Sequence, residues 1–194
     1  MDRKQVTKKN EQEFSKFLSY ILRHKPEEIG LELEDNGWVN VGSLIIAINN
    51  HEASKWVIDM AVLEQVVVND SKNRYSFNNH KTKIRANQGH SIKNLVMDFE
   101  EVNPPEYLYH GTSEENAKLI IKSGEIKPMS RQMVHLSKDI ETAEKVGKRH
   151  GKPVIFRVEA QRMKQNGKKF YISENGVYLV DNVSTEFTVM EIQL

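Results

Sequence analysis

Phe14, Phe17, Leu18, Ile21 and Leu22 recur at the i, i+3, i+4, i+7, i+8 spacing of one helix face, so the first strong element is a helix. Pro26 ends it, because proline lacks the N–H a helix needs and disfavours a helical residue before it. After the turn at Asn36-Gly37, Val41 to Ile48 reads as a short buried helix. Ser54 is placed to cap a third, running to about Val68 with Val57, Met60, Ala61, Leu63 and Val67 inward. Arg74-Tyr75-Ser76-Phe77 and Thr82-Lys83-Ile84-Arg85 then read as two strands around a four-residue turn, Asn78 to Lys81.

Three helices and a hairpin, in that order, are the elements of a winged-helix domain, a fold that says little about function alone. Asn103-Pro104-Pro105 marks the expected boundary, giving domains 1–102 and 103–194. Beyond it, strands alternate with short helices. Tyr107-Leu108-Tyr109 is a strand running into His110-Gly111-Thr112-Ser113. Thr112 and Glu115 form a capping-box pattern for a helix that stops at Gly124. Val134-His135-Leu136 is a strand, and Ser137 is placed to cap a helix ending near His150-Gly151. Val154 to Val158, Val177 to Val180 and Phe187 to Met190 complete a small sheet-rich domain, so the fold class is α+β. No internal repeat interrupts this order.

Composition narrows the function classes. Hydrophobic residues at 38% and charged residues at 28% describe an ordinary globular chain. No apolar run approaches the roughly 18 residues of a membrane span, and the charged N-terminus lacks a signal-peptide core. Zero cysteines exclude disulfides, thiolate metal sites and cysteine nucleophiles, and fit a cytoplasmic location. The net charge is +1, so broad electrostatic binding to nucleic acid is not indicated and any phosphate site must be local. The 7 histidines lack metal-ligand spacing, so no metal is expected.

Several segments carry candidate chemistry. Arg23-His24-Lys25 closes the first helix; these residues either stabilise its partially negative end or grip phosphate, which arginine binds bidentately. With residues 78–81 as the turn, Phe77 faces Thr82, Tyr75 faces Ile84 and Arg74 faces Arg85. Two opposed arginines repel unless an anion lies near them, or they splay into water. His110-Gly111-Thr112 joins a strand to a helix start, where a glycine lets backbone approach a ligand and free N–H groups suit phosphate. A plain strand–turn–helix fits the same residues. Met129 to Ser137 sets Arg131 and His135 around a strand.

Read as an ordered set, SKFLSYILRHKPEEIGLELEDNGWVNV, KNRYSF, IRANQGHS, PPEYLYHGTS, MSRQMVHLS, GKRHGKPVIFRV and ENGVYLV resemble the RNA (tRNA) 2′-phosphotransferase family over residues 15 to 180. The resemblance implies a winged-helix lobe that holds an RNA 2′-phosphate, followed by an ADP-ribosyltransferase-like lobe that holds NAD⁺ as co-substrate. It maps a catalytic quartet onto Arg23, His24, Arg74 and Arg131. His110, Gly111, Thr112, His135 and Ser137 become cofactor-binding residues, and Lys25, Arg85 and His90 substrate-binding ones. Gln88 and Ser91 join Arg85 and His90 near the cleft between the lobes. Tyr75 stands where the family more usually has phenylalanine, and Met133 where it often has histidine.

The implied chemistry suits the residue inventory. The RNA 2′-phosphate attacks C1 of the nicotinamide ribose and expels nicotinamide, giving RNA-2′-phospho-ADP-ribose. The ribose 2-hydroxyl then attacks phosphorus, leaving 2′-OH RNA and ADP-ribose 1″,2″-cyclic phosphate. The nucleophile is already an anion, so the first step needs positioning and charge compensation, not a base or a metal. The implied setting is tRNA splicing or RNA repair; a monomer is the default expectation, not part of the resemblance. Two other readings stand beside it: an ADP-ribosyltransferase acting on phosphorylated nucleic-acid ends, and a non-catalytic winged-helix nucleic-acid-binding protein.

Overall fold

A computed structural model describes residues 3–52 and 54–191. The chain mixes α and β structure and divides into two compact units, Met1–Asp98 and Phe99–Leu194. The division lies ahead of the expected 102/103 boundary because strand Glu100–Val102 pairs with Phe170–Ile172 of the second unit.

In the first unit, β1 (Lys4–Gln5) precedes α1 (Glu11–Arg23). The expected face is the buried one: Phe14, Leu18, Ile21 and Leu22 are fully buried, with Phe17 packed alongside. Phe14 meets Trp56 edge-on, with ring centroids 5.4 Å apart. The helix stops at Arg23, and Pro26 opens a 3-10 turn, Pro26–Ile29. β2 (Val39–Asn40) leads into α2 (Val41–Asn50), where the Asn40 side chain accepts from Ser43 N at 3.0 Å.

The third helix starts later than expected. Trp56–Val57 form β3, pairing in parallel with β1, and α3 is Met60–Val68 with Asp59 as its cap. Asp59 accepts from Val62 N at 2.8 Å, whereas Ser54 is buried and its hydroxyl accepts from Trp56 N at 3.2 Å. Val57 therefore belongs to a strand, Ala61 is exposed, and Leu63 and Val66 are the buried residues of α3. An aromatic and a β-branched residue in sequence favour the strand over another helical turn.

β4 (Tyr75–Phe77) and β5 (Lys83–Ala86) form the hairpin, and β2 adds a third antiparallel strand in the order β2-β5-β4. Its register corrects the expected one. Phe77 pairs with Ile84, Ser76 with Arg85 and Tyr75 with Ala86, so Arg74 and Arg85 are not opposed. Asn78 sets this slide: its N–H donates to Lys83 O at 3.0 Å, and its side chain accepts from Lys83 N at 3.0 Å. A slide by two residues preserves the faces, so Tyr75 and Phe77 still point to the core.

In the second unit, β6 (Glu100–Val102) is followed by β7 (Leu108–Ser113), α4 (Glu114–Ser123) and β8 (Glu125–Ile126). β9 (Val134–Leu136), α5 (Ile140–Gly147), β10 (Pro153–Val158), α6 (Ala160–Gln165) and β11 (Phe170–Ile172) come next. β12 (Tyr178–Val180), β13 (Val183–Ser184) and β14 (Thr188–Glu191) close the chain. The sheets run β14-β10-β7, β6-β11-β12-β9 and β13-β8, and every pairing is antiparallel. Leu108, Leu136, Phe156, Met163, Phe170 and Val180 are among the core residues.

Two helix caps differ from expectation. β7 continues through Thr112, so Ser113 caps α4 and accepts from Asn116 N at 3.3 Å. Asp139, not Ser137, caps α5, accepting from Thr142 N at 2.7 Å. Ser137 instead exchanges backbone hydrogen bonds with Tyr109, at 2.7 and 2.9 Å. Among the described residues no helix is long and apolar enough to cross a membrane.

Candidate active site

The first unit gathers cationic side chains around the end of α1. Arg23 is its last residue, and the loop after β5 folds back over it. Ser91 N donates to the Arg23 carbonyl at 3.0 Å, and Ser91 Oγ lies 2.9 Å from His24 Nδ1. Gly89, at φ +89°, passes so close that an added Cβ would sit 3.7 Å from Arg23 Nη1. The helix-end carbonyl is thus capped by backbone, while Arg23 Nε and Nη2 are buried under the same loop. Lys25 behaves differently: its ammonium pairs with Glu27 at 3.1 Å, and both partners are exposed. An exposed pair of this kind contributes little stability.

Arg85 stacks its guanidinium on Trp38, 4.5 Å from the ring centroid. His90 lies against Gly37, 2% exposed, and neither ring nitrogen has a hydrogen-bond partner among the described residues. Burial, then the charges of Arg23, His24 and Arg85, lower its pKa from 6.5 to about 4. The ring is therefore neutral at pH 7. His90 was expected to bind substrate; its burial leaves it almost no surface to offer.

The depressed pKa has a thermodynamic consequence. Between pH 6.5 and 4 the unfolded chain holds more protons at this ring than the folded chain does. The stabilisation is whole above about pH 6.5 and is lost as pH falls through that window, at a total of about 3 kcal/mol. Replacing His90 with Gln is expected to remove that share of the acid-side loss in denaturant unfolding at pH 7, 5.5 and 4. Identical pH slopes in the two proteins would refute it.

Arg74 approaches from the start of β4. It forms an ion pair with Asp70 through Nη1, and Asp70 also accepts from the Arg74 backbone N–H. Tyr75, next in sequence, donates its hydroxyl to Ser15 O at 2.6 Å on α1. Burial raises the Tyr75 pKa, and Arg23 and Arg74 both oppose that rise, so both guanidiniums act on one hydroxyl. Arg23, His24 and Arg85 thus lie near His90, and Arg23 and Arg74 both lie near the Tyr75 hydroxyl. A concentration of fixed positive charge with partly desolvated donors suits a multiply charged oxyanion.

The second unit holds two histidines with defined tautomers. His110 Nδ1 lies 3.2 Å from His135 O, and His135 Nδ1 lies 3.0 Å from Met133 O. A carbonyl only accepts, so each Nδ1 carries the proton. Burial lowers the His110 pKa, and Arg131 adds to that effect, so this ring is neutral with Nε2 as an acceptor. Arg131 lies on an exposed turn after Met129, which has φ +58°. Desolvation and then Arg149 lower its pKa, yet an arginine remains charged.

Gly111 is explained by packing. An added Cβ would lie 1.7 Å from Ala143 O on α5, and one at Gly147 would lie 2.8 Å from Thr112 O. The two glycines let β7 and α5 meet backbone to backbone. His110, Gly111 and Thr112 lie in β7, which leads directly into α4 through the Ser113 cap. Gly147 and Arg149 escaped the sequence reading because their significance lies in contacts with segments distant in sequence. Among the described residues, no group of three or more His, Asp or Glu side chains is placed to hold a metal ion.

A model of the RNA 2′-phosphotransferase, Tpt1 / KptA family matches residues 9–182. The chain is 54% identical over 176 residues to a probable RNA 2′-phosphotransferase of Trichormus variabilis, covering 91% of this chain and 94% of that one. It is 49% identical over 179 residues to a probable RNA 2′-phosphotransferase of Fusobacterium nucleatum, covering 92% and 97%. It is 44% identical over 185 residues to the RNA 2′-phosphotransferase of Escherichia coli strain K12, covering 94% and 98%. A family match across most of the chain, with relatives this similar over nearly their whole lengths, places the chain in the RNA 2′-phosphotransferase, Tpt1 / KptA family.

Proposed function

We propose that this chain is an NAD⁺-dependent RNA 2′-phosphotransferase, transferring an internal 2′-phosphate of a tRNA-like RNA to ADP-ribose. The observation that carries the reading is the placing of Arg23, with His24 beside it in sequence, and of Arg74 near the one Tyr75 hydroxyl, in a chain with near-neutral net charge. Such a site recognises one phosphate without needing a broad basic surface. The order of α1, α2, α3 and the β2-β5-β4 sheet supports a winged-helix lobe. The antiparallel sheets of the second unit support an ADP-ribosyltransferase-like lobe.

The residues present suit NAD⁺. His110 is neutral, so it adds no repulsion toward a cationic nicotinamide ring, and its Nε2 accepts a hydrogen bond of the kind a carboxamide N–H donates. NAD⁺ supplies an electrophilic ribose carbon with a good leaving group, and afterwards a vicinal hydroxyl. The protein positions and neutralises. Arg23 and Arg74 compensate the phosphoryl charge, which grows when the vicinal hydroxyl attacks phosphorus. His24, oriented through Nδ1 by Ser91, handles the proton of that hydroxyl through Nε2. Lys25 and Arg85 are outer contacts to the RNA, and Ser137 and Thr112 line the NAD⁺ side.

Nicotinamide release tests the coupling. With NAD⁺ and an RNA bearing one internal 2′-phosphate, nicotinamide is expected to appear in proportion to the phosphate. The same RNA with a 2′-OH should release none. Release that ignores the 2′-phosphate would show simple NAD⁺ hydrolysis and overturn the reading.

A further inference from the structure

We propose that Asp70 is a positioning residue for Arg74, fixing its guanidinium so that the remaining donors face a phosphate; this rests on the reading of Arg74 as a phosphate ligand. Asp70 lies just after α3, and its side chain is only 3% exposed. A carboxylate is seldom buried unless its charge is matched, and Asp70 forms its ion pair with Arg74. One oxygen accepts from the Arg74 backbone N–H, and the other meets Arg74 Nη1 and, at 3.4 Å, Lys72 N. The same carboxylate therefore holds Arg74 at its backbone and at its tip.

The backbone is braced from the other side as well. Asn73 N donates to Asp70 O at 2.8 Å and holds φ at +44°. The Asn87 side chain donates to Asn73 O at 2.8 Å, and Asn87 N donates to Arg74 O at 2.8 Å. Asp70, Asn73 and Asn87 thus clamp the segment just ahead of β4. Turn capping alone would need a single acceptor oxygen, which Ser or Asn also supplies. The turn contact of the second oxygen, to Lys72 N, is long at 3.4 Å, so its principal partner is Arg74 Nη1. That oxygen occupies one corner of a five-donor fork and leaves Nε and Nη2 for an anion, the arrangement in which arginine binds phosphate bidentately.

Asp70 also brings a negative charge near the site, which on its own would weaken phosphate binding. Orientation outweighs this, because the carboxylate holds the guanidinium at one corner while a phosphate takes the others. Losing the clamp therefore weakens recognition, even though the variant site is more positive.

The test is a double-mutant cycle read by binding to the whole chain without NAD⁺. Dissociation constants are measured for a short RNA with one internal 2′-phosphate and for the same RNA with a 2′-OH, and their ratio is the readout. Asp70→Asn and Asp70→Ser keep an acceptor for the turn, and thermal midpoints confirm that they fold. Each is expected to lower the ratio about tenfold, the scale of a modest misplacement of a binding group. In an Arg74→Ala background neither should lower it further. If Arg74→Ala lowers the ratio while the Asp70 variants leave it unchanged or raise it, the positioning role is overturned and the phosphate reading stands. Equal losses with and without Arg74, or loss of folding in both Asp70 variants, assign Asp70 to the fold and overturn the role too. A ratio that ignores Arg74 altogether overturns the reading beneath it.

Discussion

Arg23→Ala is expected to lower kcat/KM for 2′-phosphate removal by about 10³-fold or more, the scale seen when a preorganised cation is taken from a phosphoryl-transfer site. The guanidinium is fixed at the end of α1, partly buried beneath Gly89, and so lies ready without reorganisation. Arg23→Lys should restore little, since an ammonium cannot present the planar two-donor edge. Stability should move the other way. Arg23 is one of the charges that depress the His90 pKa, so its removal lets that pKa rise and softens the acid-side loss of stability. Steady-state kinetics at pH 7 and thermal midpoints at pH 7 and 5 separate the two effects. A variant within tenfold of the parent rate would remove Arg23 from the machinery.

Gly111→Ala is expected to be strongly destabilising, at about 4 kcal/mol or more. The added Cβ would sit 1.7 Å from Ala143 O and 2.5 Å from Ala143 C, and both are backbone atoms. No rotamer change relieves that overlap, so α5 must move away from β7 and open a void. For a unit of this size the thermal midpoint should fall by about 15 °C or more. Gly147→Ala, with its nearest atom at 2.8 Å, should cost less but remain clearly measurable. Calorimetry of both variants checks this, and a Gly111→Ala midpoint within a few degrees of the parent would mean that α5 yields easily.

The features legible in the sequence are those set by physics local to the chain. The α1 face, the strand at residues 153–158 and the gathering of Arg23 with His24 rest on periodicity or adjacency, and they appear where expected. Caps were less legible, because a serine able to cap and an aspartate that does cap differ only in the backbone path of the residues after them; Ser54 lost to Asp59, and Ser137 to Asp139. The hairpin register turned on one side chain, Asn78, whose hydrogen bond to Lys83 moves the turn along the chain. The repulsion inferred between Arg74 and Arg85 vanished with that register, although both residues remain in the cationic group. The burial of His90 and Asp70 was beyond reach, since burial of a polar group is a property of the packed chain. Gly111 shows the reverse case: a glycine with two readings, flexibility toward a ligand or close packing, which only the position of α5 distinguishes.

The most direct measurement tracks a radiolabel placed in the internal 2′-phosphate of a short RNA incubated with the protein and NAD⁺. The expected result is transfer of the label into ADP-ribose 1″,2″-cyclic phosphate, one for each nicotinamide released, with an intact RNA bearing a 2′-OH. Label that stays on the RNA, with ADP-ribose joined to it or with NAD⁺ untouched, would contradict the proposed phosphotransferase.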